Sequence, residues 1–188
     1  MAKLIIITWA SWSWKTTLMN DLLEMDVWFE RTIDFTTRPP REKEEHKYIN
    51  ISKDDLITKY IRWDLIWINT YSWALYAIWK YLYNWKWLIK DFDWTVLTIL
   101  APNHIPIVKD YAKDNWIIVK VIKLTIDGDT MMDRMMSRWD NLNTISDRLS
   151  NFEYHNNVDA DYEIDWWDNH ILVSNKARRK ICETSKGI

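Results

Sequence analysis

Lys15 and Thr16 close a short polar loop, Trp9-Ala-Ser-Trp-Ser-Trp14, that follows the apolar run Leu4-Ile-Ile-Ile7. A lysine beside a hydroxyl at a strand-to-helix turn is the pair that grips phosphates, the ammonium reaching the β- and γ-phosphates and the hydroxyl holding Mg²⁺. The pattern that does so is G-x-x-x-x-G-K-[ST], in which glycines let successive N–H groups curl round the anion. Positions 9, 14, 15 and 16 have that spacing, with tryptophan where both glycines belong. An indole fills the anion nest, and a Cβ resists the positive φ that glycine enters freely. Further cations follow. Arg38 and Arg41 flank Pro39 and Pro40, which hold that stretch out of a helix and stiffen it. Arg134 and Arg138 are four apart, hence on one helical face, and Arg148 lies beyond them.

The elements that must position these groups alternate. Residues 3 to 8 read as a buried strand and Lys15 to Met25 as the helix after the loop, with Leu18, Leu22 and Leu23 at helical spacing. An extended segment over 28–37 leads to the proline loop and a charged run, Arg41 to Lys47. A short strand, Tyr48 to Ile51, precedes a helix capped by Ser52 with Asp54 and Asp55 in its first turn. Residues 65–83 carry aromatics and aliphatics, including Tyr71 and Tyr76. Trp87 to Phe92 reads as a buried strand, which would place Asp91 and Asp93 at a carboxyl end facing the ligand crevice. A helix over 104–114, a strand over 117–126, helices over 129–138 and 141–154, a last strand over His170–Val173 and a basic terminal helix complete the reading. Such alternation predicts an α/β fold with a mainly parallel sheet.

With 188 residues, 48% of them hydrophobic, the chain has the size of one compact domain with a real core. Its single cysteine, Cys182, has no intrachain partner, which points to a reducing cytoplasm. A net charge of −2 gives no nucleic-acid footprint, and the four histidines lack metal-ligand spacing. No apolar run approaches the roughly 18 residues of a membrane span. The N-terminal apolar stretch is not followed by an A-x-A-like cleavage site, so a signal peptide is not expected.

Glycine is the anomaly. A chain this long should hold roughly 13 at ordinary usage. It has 2, beside 15 tryptophans, and the two together make an ordinary glycine count. Tryptophan also stands where turns want glycine: Ser72-Trp73, Asn84-Trp85, Asn115-Trp116, Arg62-Trp63-Asp64 and Trp166-Trp167-Asp168. The hypothesis that accounts for both is that most or all of these tryptophans stand for glycines, written with UGA codons and translated with the wrong genetic code. A genuinely tryptophan-rich protein is the alternative. An intact mass from the native host agreeing with 15 indoles would exclude recoding.

With the loop read as Gly-Ala-Ser-Gly-Ser-Gly-Lys-Thr-Thr, the chain resembles the guanylate kinase family of nucleoside monophosphate kinases over nearly its whole length. The motifs stand in family order: the phosphate loop at 9–16, Thr-Thr-Arg-Pro-Pro-Arg at 36–41, Asp-x-Asp-x-Gly-like at 91–94 and Arg-x-x-x-Arg-Gly-like at 134–139. Trp9, Trp12, Trp14, Trp73, Trp94 and Trp139 fall on glycine positions of that family. The resemblance implies a P-loop core (1–33, 90–127 and 151–188), a nucleoside-monophosphate-binding insertion (34–89) and a lid (128–150). It implies Mg²⁺-dependent transfer from ATP to GMP in the cytoplasm by a monomer or homodimer, without nucleic acid or membrane.

By position, Trp9, Ala10, Ser11, Trp12, Ser13, Trp14, Lys15, Thr16 and Thr17 would bind ATP, with Thr16 on the metal. Asp34, Arg38, Arg41, Tyr48, Tyr76, Asp91 and Asp93 would bind GMP. Lys15, Arg38, Arg134, Arg138 and Arg148 would carry catalysis. The family usually has serine at the position of Asp34 and glutamate at that of Trp67, both contacting guanine, while Asp34 and Asp91 can still accept from its N1–H and N2–H₂ donors. Residues 95–106 have no counterpart in that reading. Two alternatives stay open: a kinase for another nucleoside monophosphate, and a catalytically inactive guanylate-kinase-like interaction module.

Overall fold

The computed structural model describes residues 3–8, 14–26, 28–32, 34–39, 48–62, 64–71, 74–79, 95–137, 142–150, 157–166 and 169–183. The β-branched run Lys3–Thr8 forms β1, buried along its whole length at the centre of a sheet. Both neighbours are parallel to it, β7 (Thr95–Ile99) on one side and β8 (Ile118–Thr125) on the other. Outside them lie β2 (Phe29–Arg31) and β9 (Tyr162–Asp165), giving the order β2-β7-β1-β8-β9, parallel throughout.

Because side chains alternate across a strand, β1 feeds two cores. Ile5 and Ile7 pack with Leu18, Met19 and Leu22 of α1 (Trp14–Met25) and with Val173, Ala177 and Ile181 of the terminal helix. Leu4 and Ile6 face the other way, onto Ile105, Val108 and Ala112 of α3 (Ile105–Asp114). Helices α1 and α3 therefore cover opposite faces of the sheet. The chain leaves β1 through α1 toward β2 and leaves β7 through α3 toward β8, so the connections of adjacent strands diverge. A ligand crevice is expected beyond the carboxyl ends of β1 and β7.

A second, mixed sheet has the order β4-β3-β6-β5 and is built from β3 (Asp34–Thr36), β4 (Ile49–Asn50), β5 (Leu65–Tyr71) and β6 (Ala74–Trp79). Its small core of Phe35, Leu56, Leu65 and Ala77 includes Leu56 from α2 (Lys53–Ile61). Ser52 caps α2 as expected, its hydroxyl accepting from the Asp55 amide at 3.1 Å. Helices α4 (Gly128–Ser137) and α5 (Leu142–Ser150) follow β8.

Two sequence expectations change. His170–Glu183 is one helix, α6, rather than a strand then a helix. Asn169 starts it by accepting from the Ile171 amide at 3.0 Å, and buried Val173, Ser174, Ala177 and Ile181 recur at helical spacing. The last strand is β9, earlier in the chain. The other change is β7, a central strand inside the 95–106 segment that the family pattern left unassigned. The strand expected over Trp87–Phe92 lies outside the described residues.

Candidate functional site

Lys15 and Thr16 fall in the first turn of α1, where amide groups lack intrahelical partners and the helix dipole favours an anion. That turn carries no carboxylate of its own. Burial pulls the Lys15 ammonium from its ordinary value to about 8, and no described carboxylate forms an ion pair with it. A desolvated cation at a helix N-terminus just past the central strand suits a phosphate, which would return the solvation the ammonium has lost. Thr17 shares this turn. Thr8, the last residue of β1, is fully buried, and its hydroxyl has no hydrogen-bond partner among the described residues.

A second group of predicted residues gathers on the mixed sheet. Tyr48 and Tyr76 meet edge to face, ring centroids 5.7 Å apart, and the Arg38 guanidinium lies 5.9 Å from the Tyr48 ring centre. The threonines before Arg38 fix its loop. Thr36 accepts from the Arg38 amide at 3.1 Å, Thr37 exchanges hydrogen bonds with Leu75 of β6, and the Asn50 side chain donates to the Arg38 carbonyl.

Asp34 is in the same cluster but already engaged. Its Oδ1 accepts from the Thr32 hydroxyl at 2.7 Å, and its Oδ2 from Arg31 Nη2 at 3.3 Å. Burial pushes its carboxyl up to about 6, even though Arg31 and the hydrogen bonds pull the other way. Tyr48 is raised as well, first by burial and then by the Asp34 charge. Thr98 of β7 lies 3.2 Å from the Thr32 hydroxyl and, with Thr32 donating to Asp34, supplies the donor there.

Thus Asp34, Arg38, Tyr48 and Tyr76, which the resemblance assigns to the acceptor nucleotide, lie together, and Arg31, Thr32 and Thr98 join them unforeseen. The cue for Arg31 was a cation at a strand end three residues before an aspartate. Trp9, Ala10, Ser11, Trp12, Ser13, Arg41, Asp91, Asp93 and Arg138 lie outside the described residues. Of Trp14, Arg134 and Arg148 only the helical backbone is described. Among the described residues no group of three or more histidine, cysteine or acidic side chains could hold a metal, and no helix is long and apolar enough to cross a membrane.

No protein-family model matches the chain, and no curated protein matches it in sequence. Solved structures do. A guanylate kinase from Anaplasma phagocytophilum superposes with a TM-score of 0.68 over 100% of this chain and 87% of that one, at 14% identity. A gluconokinase from Sinorhizobium meliloti 1021 superposes with a TM-score of 0.50 over 98% and 95%, at 11% identity. This is a P-loop kinase-like α/β fold.

Proposed function

We propose that the chain is a guanylate kinase, transferring the γ-phosphoryl of ATP to GMP with Mg²⁺ to give ADP and GDP. The observation that carries this reading is the gathering of Asp34, Arg38, Tyr48 and Tyr76 beside one another on a P-loop kinase-like fold. Phosphoryl transfer asks a protein for positioning and positive charge rather than a nucleophile. Lys15 stabilises the charge on the transferred group, and Arg38 with Tyr48, Tyr76 and Arg41 holds the acceptor phosphate. Thr16 would supply a hydroxyl oxygen to Mg²⁺. Bound Mg²⁺ neutralises charge on the phosphates. The mixed sheet falls in the acceptor-binding insertion over 34–89, and Arg134, Arg138 and Arg148 belong to a lid over 128–150 that closes on ATP.

The reading requires glycine at 9, 12 and 14, and Trp116 supports recoding. It has φ 57 and is 77% exposed, in the turn that ends α3. Its amide bonds the Lys113 carbonyl at 3.4 Å and the Ile117 amide bonds the Ala112 carbonyl at 2.9 Å, the paired closure in which the left-handed position is normally glycine. If indoles do occupy 9, 12 and 14, the polyphosphate site is lost. The chain is then an inactive guanylate-kinase-like interaction module that keeps the acceptor site.

Protein from its native host, its mass first measured, should phosphorylate GMP far faster than AMP, UMP or CMP. Equal rates on all four would refute the guanine assignment, and no transfer by a protein whose mass shows glycine in the loop would refute the kinase.

A further inference from the structure

Arg31 has no part in the roles assigned so far, yet it is built into the acceptor cluster. It ends β2 at the edge of the parallel sheet, its side chain 14% exposed and that of Asp34 12%. One nitrogen donates to Asp34 at 3.3 Å, its guanidinium carbon lies 5.4 Å from the Tyr48 ring centre, and its buried Nε has no hydrogen-bond partner among the described residues. The pair thus presents a donor next to an acceptor. The outer Asp34 oxygens keep lone pairs after bonding Thr32 and Arg31, and Arg31 keeps donors that Asp34 does not use.

We propose, on the guanylate kinase reading above, that Arg31 is a specificity-determining residue that donates to the 6-oxo oxygen of the acceptor purine, while Asp34 beside it accepts from the ring's N–H donors. A 6-oxopurine offers that sequence along one edge, acceptor then donor. Phosphate fits this spot poorly, because Arg31 is already neutralised by Asp34 and the carboxylate would face the phosphate's own charge. A neutral base suits a neutral pair. Thr32 and Thr98 keep the acceptor aimed, since the hydroxyl chain Thr98 to Thr32 to Asp34 ties it to β7.

The test is calorimetric binding to the full chain, which needs no phosphate loop. The nucleotides are GMP, inosine 5′-monophosphate and 2-aminopurine riboside 5′-monophosphate, the last lacking the oxo group and the N1 proton but keeping the 2-amino donor for Asp34. Arg31→Gln should weaken both oxopurine nucleotides about tenfold or more, the scale of a lost charged hydrogen bond, and change the 2-aminopurine nucleotide little. Arg31→Lys should recover part of the loss. Equal weakening of all three nucleotides would assign Arg31 to the phosphate or to mere support and overturn the proposal, as would unchanged GMP binding. A parent chain that binds none of the three would instead bring down the guanylate kinase reading, and the role of Arg31 with it.

Discussion

On the proposed function, Lys15 is the residue at which stability and activity pull apart. Burial lowers its ammonium to about 8, so at neutral pH folding holds a charge in a place that disfavours it. Neutralising the group relieves that cost. In protein with glycine at 9, 12 and 14, Lys15→Met should therefore melt at a higher temperature than its parent while losing about 10² or more in kcat, the scale of one lost electrostatic donor at a transferring group. Scanning calorimetry and steady-state rates check the two halves. A variant within a few-fold of parental activity would put the phosphate site elsewhere. The lysine itself was plain in the sequence, because spacing to a preceding strand identifies it. Arg31 was not, since its meaning comes from its pairing with Asp34 and its place over the Tyr48 ring.

The elements divide along the same line. β1, α1, α2, α3 and β8 were legible because each is a local pattern: a β-branched run, a cap or a helical repeat of apolar residues. β7 was less legible although Thr-Val-Leu-Thr-Ile is such a run, because periodicity alone does not separate a short continuous apolar strand from a buried helical segment. At the start of α6, Ile171, Leu172 and Val173 imitate a strand and the Asn169 cap decides otherwise. The tryptophans also separate at this scale. Trp116 is exposed in a left-handed position, so Trp116→Gly should stabilise the chain by about 1 kcal/mol in urea unfolding, the cost of a Cβ there. Trp166 is 1% exposed, in the core with Ile164 and Val173 rather than in the open turn its sequence suggested. Trp166→Gly should destabilise by about 3 to 5 kcal/mol, as large-to-small changes in a packed core do. Similar effects at both positions would mean that burial does not separate them.

On the scale of the whole molecule, the sites proposed for the two nucleotides hold groups that titrate on opposite sides of neutrality. Asp34 is raised to about 6, so its folded form favours the proton. The stability this gives is complete below the ordinary carboxylate value and lost as pH rises through about 6, the range in which Asp34 becomes the acceptor a purine needs. Lys15 is lowered to about 8, so its contribution to stability is present above the ordinary lysine value and lost as pH falls through about 8, where it gains the charge ATP needs. On the guanylate kinase reading, binding competence at neutral pH is thus held against folding at both proposed nucleotide sites. Because kcat/KM reports the free protein, the profile for GMP should fall on the acid side of about 6 and that for ATP on the alkaline side of about 8. The acid limb has a rival source, since the second ionisation of a nucleotide phosphate also lies near 6. Asp34→Asn separates them: it should flatten the acid limb for GMP and leave the alkaline limb for ATP in place. An acid limb that survives in Asp34→Asn belongs to the nucleotide, and Asp34 would then not be the group that reads the base.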